Sequence, residues 1–308
     1  MPLRHISIPS WSRTTPPRYP TYALATRVQS RLQQELLAWK SLRNDPRRRP
    51  DAPPPLPTLI SFTPAPTYTL GRRQTSPLSA SELARLRAPL SVSSSSCDDN
   101  DDERMTTAVF VPEVLHAPRG GLTTYHGPGQ AVLWPVIDLR SPLHAHFSVR
   151  DYTCLLEKTT IATLQRVYGL AGFTTSNPGV WVRKDNDPLR DEEKISALGV
   201  HLRRHVTGLG VAVNVGIPVT GPETTNPWAR IVACGLGDLG VTSVAAQLDL
   251  LPTHHIAPED IAAAWAFEFA ERLGLPEAAV EEESWQSWEK ELHLEQAGPG
   301  TDAGFVQG

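Results

Sequence analysis

Short apolar runs, set among glycine, proline and asparagine residues, constrain the fold of this chain more than any other feature. They cover residues 131–139, 180–182, 195–202 and 210–215, and they are rich in valine, isoleucine and leucine. Runs of this length and composition are typical of buried β-strands. We therefore predict at least four strands in the middle of the chain.

Apolar residues with helical spacing flank these strands. The stripe nearest the N-terminus consists of Leu24, Val28, Leu32, Leu36 and Trp39. Spacings of three and four predict an amphipathic helix of about four turns that begins near residue 22. Residues 151–168 predict a second helix, which Gly169 ends, and residues 258–273 predict a third, which begins at a proline. Helices and strands together predict one mixed-sheet α/β domain.

The composition also predicts how the domain is bounded. We expect a catalytic domain over residues 1–275, with a proline-rich surface loop at 44–57 and a flexible Ser/Asp-rich insertion at 76–104. Segments of low hydrophobicity cannot bury enough apolar surface to order themselves. Residues 276–308, acidic and then glycine-rich, are expected to form a frayed C-terminal tail.

The overall composition excludes several classes of protein. The chain has 308 residues, is 40% hydrophobic and carries a net charge of -4, so it has a core but no excess of basic surface for nucleic acid. No apolar run approaches the length of a membrane span. Three scattered cysteines predict neither a disulfide framework nor a metal site, and we expect no cofactor.

The N-terminus has the composition of a targeting sequence. Five arginines and no acidic residue precede Glu35, as in mitochondrial presequences. The alternative is that residues 3–8 are simply the first strand of the domain. We predict mitochondrial residence, with a cytoplasmic location as the alternative.

A glycine-rich segment, residues 119–130, is the first candidate for a functional site. Its glycines allow the backbone to approach a ligand closely. Arg119 could bind an anion, Tyr125 could form an aromatic wall and His126 could titrate. The segment lacks the spacing of a phosphate-binding P-loop. The alternative is a glycine-rich hairpin with His126 satisfied in the core.

Two further residues could carry covalent chemistry. Cys234 lies at the end of an apolar run and precedes Gly235, whose amide could stabilise an oxyanion. Lys194, one of only five lysines, could favour the thiolate or move a proton, which arginine cannot do. The alternatives are an inert buried cysteine and a solvated lysine beside three acidic residues.

Together these segments resemble the octanoyltransferases of lipoate biosynthesis, the lipoate-protein ligase B family. The residues that carry the resemblance, in order, are 68–72, 119–130, 179–182, Lys194, Ile195, Leu198, Gly199, Val200, Asn214, Val215, Cys234, Gly235 and 240–243. The resemblance implies the α/β fold shared by biotin and lipoate protein ligases. The loops near residues 185–190 and 219–229 are longer than that family requires.

The resemblance also implies a reaction and a set of site residues. The reaction is transfer of an octanoyl group from octanoyl-acyl carrier protein to a lysine of a lipoyl domain, with Cys234 as the acylated residue and Lys194 lowering its pKa. The lipoyl domains belong to 2-oxoacid dehydrogenase subunits or the glycine cleavage H protein. The acyl pocket implied by the family comprises Arg119, Gly120, Gly121, Leu122, Thr123, Thr124, Tyr125, His126, Ala197, Leu198, Gly199, Gly210, Val211 and Ala212.

Three other functions stay open at this point. An ATP-dependent lipoate ligase would share the fold and need no cysteine. A non-catalytic scaffold would only bind lipoyl domains. A cysteine hydrolase with His126 as its base would release free octanoate.

Overall fold

The computed structural model describes residues 1–10, 14, 16–43, 53–97, 103–231, 240–250, 257–275 and 280–292. Cys234 and Gly235 therefore lie outside the described residues. The same is true of residues 44–52 of the proline-rich loop and of the chain from residue 293 onward.

The described residues form thirteen strands and six α-helices. The strands are β1 (Leu3–Ser7), β2 (Thr58–Phe62), β3 (Thr67–Leu70), β4 (Leu90–Cys97), β5 (Glu103–Phe110), β6 (Glu113–His116), β7 (Thr123–His126), β8 (Gln130–Val136), β9 (Val180–Val182), β10 (Glu193–Arg203), β11 (Val206–Asn214), β12 (Gly240–Val241) and β13 (Val280–Glu283). The helices are α1 (Tyr22–Arg43), α2 (Ala80–Leu86), α3 (Val149–Tyr168), α4 (Val244–Gln247), α5 (Pro258–Leu273) and α6 (Trp285–Glu291).

A mixed eight-stranded sheet forms the centre of the domain. Its strands are hydrogen-bonded in the order β12, β10, β11, β8, β2, β1 and β13, and β9 also pairs with β10. A smaller sheet has the order β6, β3 and β7, and β4 and β5 form a separate hairpin. The four predicted strands correspond to β8, β9, β10 and β11, which confirms those predictions to within a few residues at their ends.

Helices cover both faces of the large sheet, because its strands alternate apolar side chains to the two sides. On one face, Leu59 and Leu133 pack in a core with residues of α3 and α5, among them the stacked rings of Trp265 and Phe269. On the other face, Trp134 and its neighbours pack against α1. Apolar periodicity predicted all three of these helices.

Capping residues define the ends of α3 and α5, including the predicted end of α3 at Gly169. Ser148 and Asp151 form a capping box at the start of α3, which satisfies backbone amides that the helix cannot pair internally. Gly169 and Gly274 end α3 and α5 in left-handed conformations, which glycine adopts without steric cost.

We predicted a flexible insertion over residues 76–104. The prediction was wrong for the described residues of this stretch, 76–97 and 103–104. This stretch contains α2 and β4, and the side chains of Leu86 and Leu90 are buried with those of Tyr68 and Trp228. The Arg230 guanidinium donates to the carbonyls of residues 86, 88 and 89, which fixes the segment to the domain. Buried leucines and the Arg230 hydrogen bonds together anchor this polar stretch.

The prediction of a frayed tail beyond residue 275 also requires correction. Residues 280–283 form β13, which pairs in parallel with β1. The Glu282 carboxylate lies 2.5 Å from Nδ1 of the buried His5. Trp288 of α6 is buried against the α1-side core. Acidic residues thus have basic partners on β1, which composition alone did not reveal.

The N-terminal segment is part of the folded domain. Residues 3–7 form β1 between β2 and β13, as the alternative interpretation of the arginine-rich N-terminus proposed. Among the described residues, none of the helices is both long enough and apolar enough to cross a membrane.

Candidate active site

Lys194 lies near the start of β10 and is only 6% exposed. Its ammonium nitrogen donates to the carbonyl of Pro178 at 3.0 Å and lies 4.7 Å from the ring centre of Trp181. A carbonyl oxygen and the face of an indole both favour a positive charge. The interpretation of Lys194 as a solvated lysine is therefore wrong.

The backbone of Lys194 is paired with β9 and with the segment that follows the predicted nucleophile. Lys194 pairs with Trp181 of β9 and with Val241 of β12. The amide of Thr242 donates to the Lys194 carbonyl at 3.0 Å. The strand that pairs with Lys194 thus begins six residues after Cys234, whose own position the described residues do not include.

Gly179 is required for this arrangement. It has a φ of 118°, and a Cβ there would come 2.4 Å from the carbonyl oxygen of Ser196. Its amide donates to the Glu157 carboxylate of α3. Glycine therefore allows β9 to lie close to β10, so that Trp181 and the Pro178 carbonyl reach the lysine.

Arg119 is buried and holds the glycine-rich loop together. Its guanidinium donates to the carbonyls of Gly120 and Leu122 and to both oxygens of Thr69. Gly199 provides room for this side chain, because a Cβ there would lie 2.7 Å from its Cδ. These hydrogen bonds to protein oxygens give Arg119 a structural role in the loop, and its predicted binding of an anion stays a prediction.

His126 lies at the beginning of a buried chain of polar side chains. Its Nδ1 is 3.2 Å from Oε1 of Gln130, whose Nε2 donates to Oδ1 of Asn214 at 2.8 Å. The Asn214 amide nitrogen in turn donates to the carbonyl of Thr242. A carbonyl can only accept, so each amide has one possible orientation, and Nδ1 of His126 carries the proton.

Burial and the nearby Arg119 charge lower the pKa of His126 to about 3. Its imidazole is therefore neutral at physiological pH, with Nε2 as a hydrogen-bond acceptor. The chain of amides thus connects a neutral histidine to the residue whose amide binds the Lys194 carbonyl.

A narrow cavity extends along the α1 side of the large sheet beside these residues. It contains about 390 Å³ of empty space, part of it open to solvent. Its lining residues are Tyr22, Arg119, Thr124, His126, Trp134, Ala197, Leu198, Gly199, Leu209, Gly210, Val211 and Ala212. On β10 the lining begins at Ala197, three residues or about 10 Å from Lys194 along the strand.

Nine of the fourteen predicted acyl-pocket residues surround this cavity, and five do not. Gly120 and Gly121 form the turn braced by Arg119. Leu122 and Thr123 line a different groove, on the side of α2. Tyr125 packs against Tyr68 instead, with ring centres 5.1 Å apart and ring planes tilted by 59°. β-Strand alternation explains the split, since Thr123 and Thr124 point to opposite sides of β7.

Three lining residues were missed by the sequence interpretation: Tyr22, Trp134 and Leu209. Tyr22 and Trp134 lie in elements that the sequence predicted. Nothing in the sequence indicated that a cavity would lie beside these two side chains. The side-chain oxygen of Thr124 is buried and has no hydrogen-bond partner among the described residues. It is therefore a polar group available to a ligand in the cavity.

The described residues contain no group of three or more His, Cys, Asp or Glu side chains that could hold a metal ion.

The domain combines a mixed α/β architecture, a narrow cavity and a buried lysine, and comparison with known proteins identifies its family. The lipoyl protein ligase A/B catalytic domain matches residues 98–270. A Schizosaccharomyces pombe protein named "Probable octanoyltransferase" is 34% identical over 63% of this chain and 69% of its own. The mitochondrial octanoyl-acyl-carrier-protein:protein N-octanoyltransferase of Danio rerio is 33% identical over 62% of this chain and 68% of its own.

A solved structure supports the fold. The bipartite lipoate protein ligase of Thermoplasma acidophilum matches 96% of this chain and 93% of its own, with a TM-score of 0.52 and 14% identity. This chain therefore belongs to the lipoyl protein ligase A/B catalytic domain family and has the mixed α/β fold of the lipoate protein ligases.

Proposed function

We propose that this protein transfers an octanoyl group from octanoyl-acyl carrier protein to a lysine of a lipoyl domain. The observation that carries the proposal is the narrow cavity along β10 and β11, whose lining on β10 begins three residues from the buried Lys194. The names of the two relatives support it, since both are octanoyltransferases. The cavity is lined mainly by small and apolar residues of β10 and β11, which suits an alkyl chain.

The proposed reaction has two steps. In the first, the Cys234 thiolate forms a thioester with the octanoyl carbon, while the carbon–sulfur bond to the carrier breaks and the carrier thiol takes up a proton. In the second, the acceptor amine forms an amide with that carbon, the carbon–sulfur bond to Cys234 breaks so that Cys234 leaves as a thiolate, and the amine nitrogen releases one proton. No oxidation occurs, and one thioester replaces another, so ATP is not required.

The role proposed for Lys194 follows from its charge and burial. An ammonium group near a thiol favours the thiolate and so lowers the thiol pKa. Pro178 and Trp181 hold that ammonium near the start of β10. His126, neutral and without a proton on Nε2, is available at the cavity as a hydrogen-bond acceptor.

Intact-mass measurement after mixing with octanoyl carrier protein, without ATP, tests the proposal. Wild type should gain one octanoyl group and pass it to an added lipoyl domain. Cys234→Ala should gain none, whereas Cys154→Ala, which removes a cysteine in α3, should behave as wild type. An adduct that persists in Cys234→Ala with transfer intact contradicts the assignment. An ATP requirement would indicate a ligase, and free octanoate a hydrolase.

Thiol alkylation tests the pairing of Lys194 with Cys234. Wild-type Cys234 should react with iodoacetamide at a pH where Lys194→Ala barely reacts. Lys194→Arg should restore alkylation without restoring transfer, because arginine keeps the charge but cannot move a proton. Identical alkylation profiles for wild type and Lys194→Ala would exclude the pairing.

We also propose mitochondrial residence, which the name of the Danio rerio relative supports. The arginine-rich N-terminus supports it less than its composition suggested, because residues 3–7 are needed as β1. Microscopy of a C-terminal fluorescent fusion tests the location, and a diffuse cytosolic signal would favour the cytoplasmic alternative.

A further inference from the structure

Leu209 has an unusual backbone conformation for a residue within a strand. Its φ is 60°, in the left-handed region that non-glycine residues rarely adopt. It nevertheless pairs with Val200 within the continuous ladder between β10 and β11. Left-handed residues of this kind persist only where the surroundings hold them in place.

The conformation places the Leu209 side chain on the opposite face from the one that alternation predicts. Val211 and Val213 pack in the core beneath α3 and α5, and a two-residue period would place Leu209 with them. Leu209 lies instead in the α1-side core, together with Ala212. The left-handed turn of the backbone thus moves one leucine into the face that contains the cavity.

The neighbours of Leu209 make this change of face possible. A Cβ at Gly208 would come 2.3 Å from Nε2 of Gln33, and one at Gly210 would come 2.2 Å from the Leu133 carbonyl. The two flanking positions therefore carry no side chain. Oε1 of Gln29, buried on α1, accepts the Leu209 amide at 2.5 Å and fixes the distorted strand to the helix.

Leu209 also lies at the end of the cavity farthest from Lys194. Along the ladder from Lys194, the lining residues occur in the order Ala197 with Ala212, Leu198 with Val211, and Gly199 with Gly210. Leu209, opposite Val200, comes last. About 10 Å of strand therefore separates it from the first lining pair.

We propose that Leu209 closes the far end of the cavity and thereby limits the length of the acyl chain that the protein accepts. The inference rests on the proposed acyl transfer and adds the residue that selects a medium-length chain. Tyr22 and Trp134 line the cavity with it, and their edge-to-face ring contact makes that wall rigid.

Leu209→Gly tests the inference, because glycine accepts a positive φ and should keep the backbone unchanged. Transfer from carrier proteins bearing eight-, ten- and twelve-carbon chains is measured for both proteins. The ratio of dodecanoyl to octanoyl transfer should rise at least about tenfold in the variant, as expected when a hydrophobic pocket gains room for a methylene or more.

Leu36→Ala is the matched control, since Leu36 is buried in the same α1-side core but does not line the cavity. It should lower thermal stability and leave the chain-length ratio as in wild type. An unchanged ratio in Leu209→Gly, or an equal rise in Leu36→Ala, would overturn the inference.

Direct binding separates this inference from the proposed function. Affinities for free octanoic, decanoic and dodecanoic acid are measured by calorimetry on wild type and Leu209→Gly. If wild type transfers no acyl group from any carrier, the proposed function fails, but a shift of binding toward longer acids in the variant still supports the role of Leu209. If wild type transfers the octanoyl group, but Leu209→Gly changes neither the transfer ratio nor the affinities for longer acids, only the inference fails.

Discussion

Lys194 and His126 show how burial changes what a polar residue can do. Lys194 has acidic residues before it in the sequence, yet its ammonium contacts the Pro178 carbonyl and the Trp181 ring. His126 is neutral because its surroundings disfavour a second proton. At this scale, residue type alone did not distinguish a solvated side chain from one inside the domain.

His126 should make the protein less stable as the pH falls. Its pKa is about 3 in the folded state against 6.5 as the ordinary value, so between these the unfolded chain binds a proton that the native state does not. The free energy of unfolding should therefore fall by about 1.4 kcal/mol per pH unit in this window. Urea unfolding of wild type and His126→Gln at pH 7 and pH 4 measures the effect.

His116→Gln is the control, because His116 is exposed on β6. The stability difference between wild type and His126→Gln should shrink at pH 4, while that for His116→Gln should stay constant. A difference for His126→Gln that is equal at both pH values would show that native His126 is protonated at pH 4 as it is in the unfolded chain.

At the scale of elements, the segment 76–104 shows that a polar stretch can be anchored by a few apolar residues. Leu86 and Leu90 are buried in one cluster with Tyr68 and Trp228, and Arg85 pairs with Glu223 at the surface of the segment. The exposed ion pair contributes little, whereas burial of two leucines contributes several kcal/mol. The segment is therefore part of the domain despite its composition.

Leu90→Ala should destabilise the protein by about 2–5 kcal/mol, through lost burial and the cavity that remains. Ser93→Ala, on the exposed side of the same strand, should change the free energy of unfolding by less than about 0.5 kcal/mol. Chemical denaturation compares them. Deleting residues 76–104 should destabilise at least as much as Leu90→Ala, because it also removes the acceptors of Arg230. Full stability of the deletion variant would contradict this account.

At the scale of the whole molecule, the two ends of the described chain meet in one sheet. β13 pairs with β1, and Arg4 forms an ion pair with Glu283. Trp288 lies beneath the guanidinium groups of Arg4 and Arg31. The last described segment thus covers an edge of the sheet that would otherwise expose the unpaired groups of β1.

Ending the chain after residue 275 should lower the melting temperature by about 10 °C or more and promote aggregation. The truncation removes β13 and the buried Trp288, a loss of about 3–5 kcal/mol, and it leaves β1 at the edge. A chain that ends after residue 292 is the control and should melt as the full chain does. Calorimetry and light scattering measure both, and equal melting temperatures would show that β13 and α6 contribute nothing.

The sequence by itself determined the mixed α/β class, the three long helices and the four central strands, because periodicity and turn residues are local signals. It also singled out the segments that line the cavity. Only the tertiary structure decided that β13 belongs to the sheet, that Tyr125 faces away from the cavity and that Leu209 faces into it. These outcomes depend on partners distant in the chain, such as His5 for Glu282 and Gln29 for the Leu209 amide, and on backbone conformations that residue type does not specify.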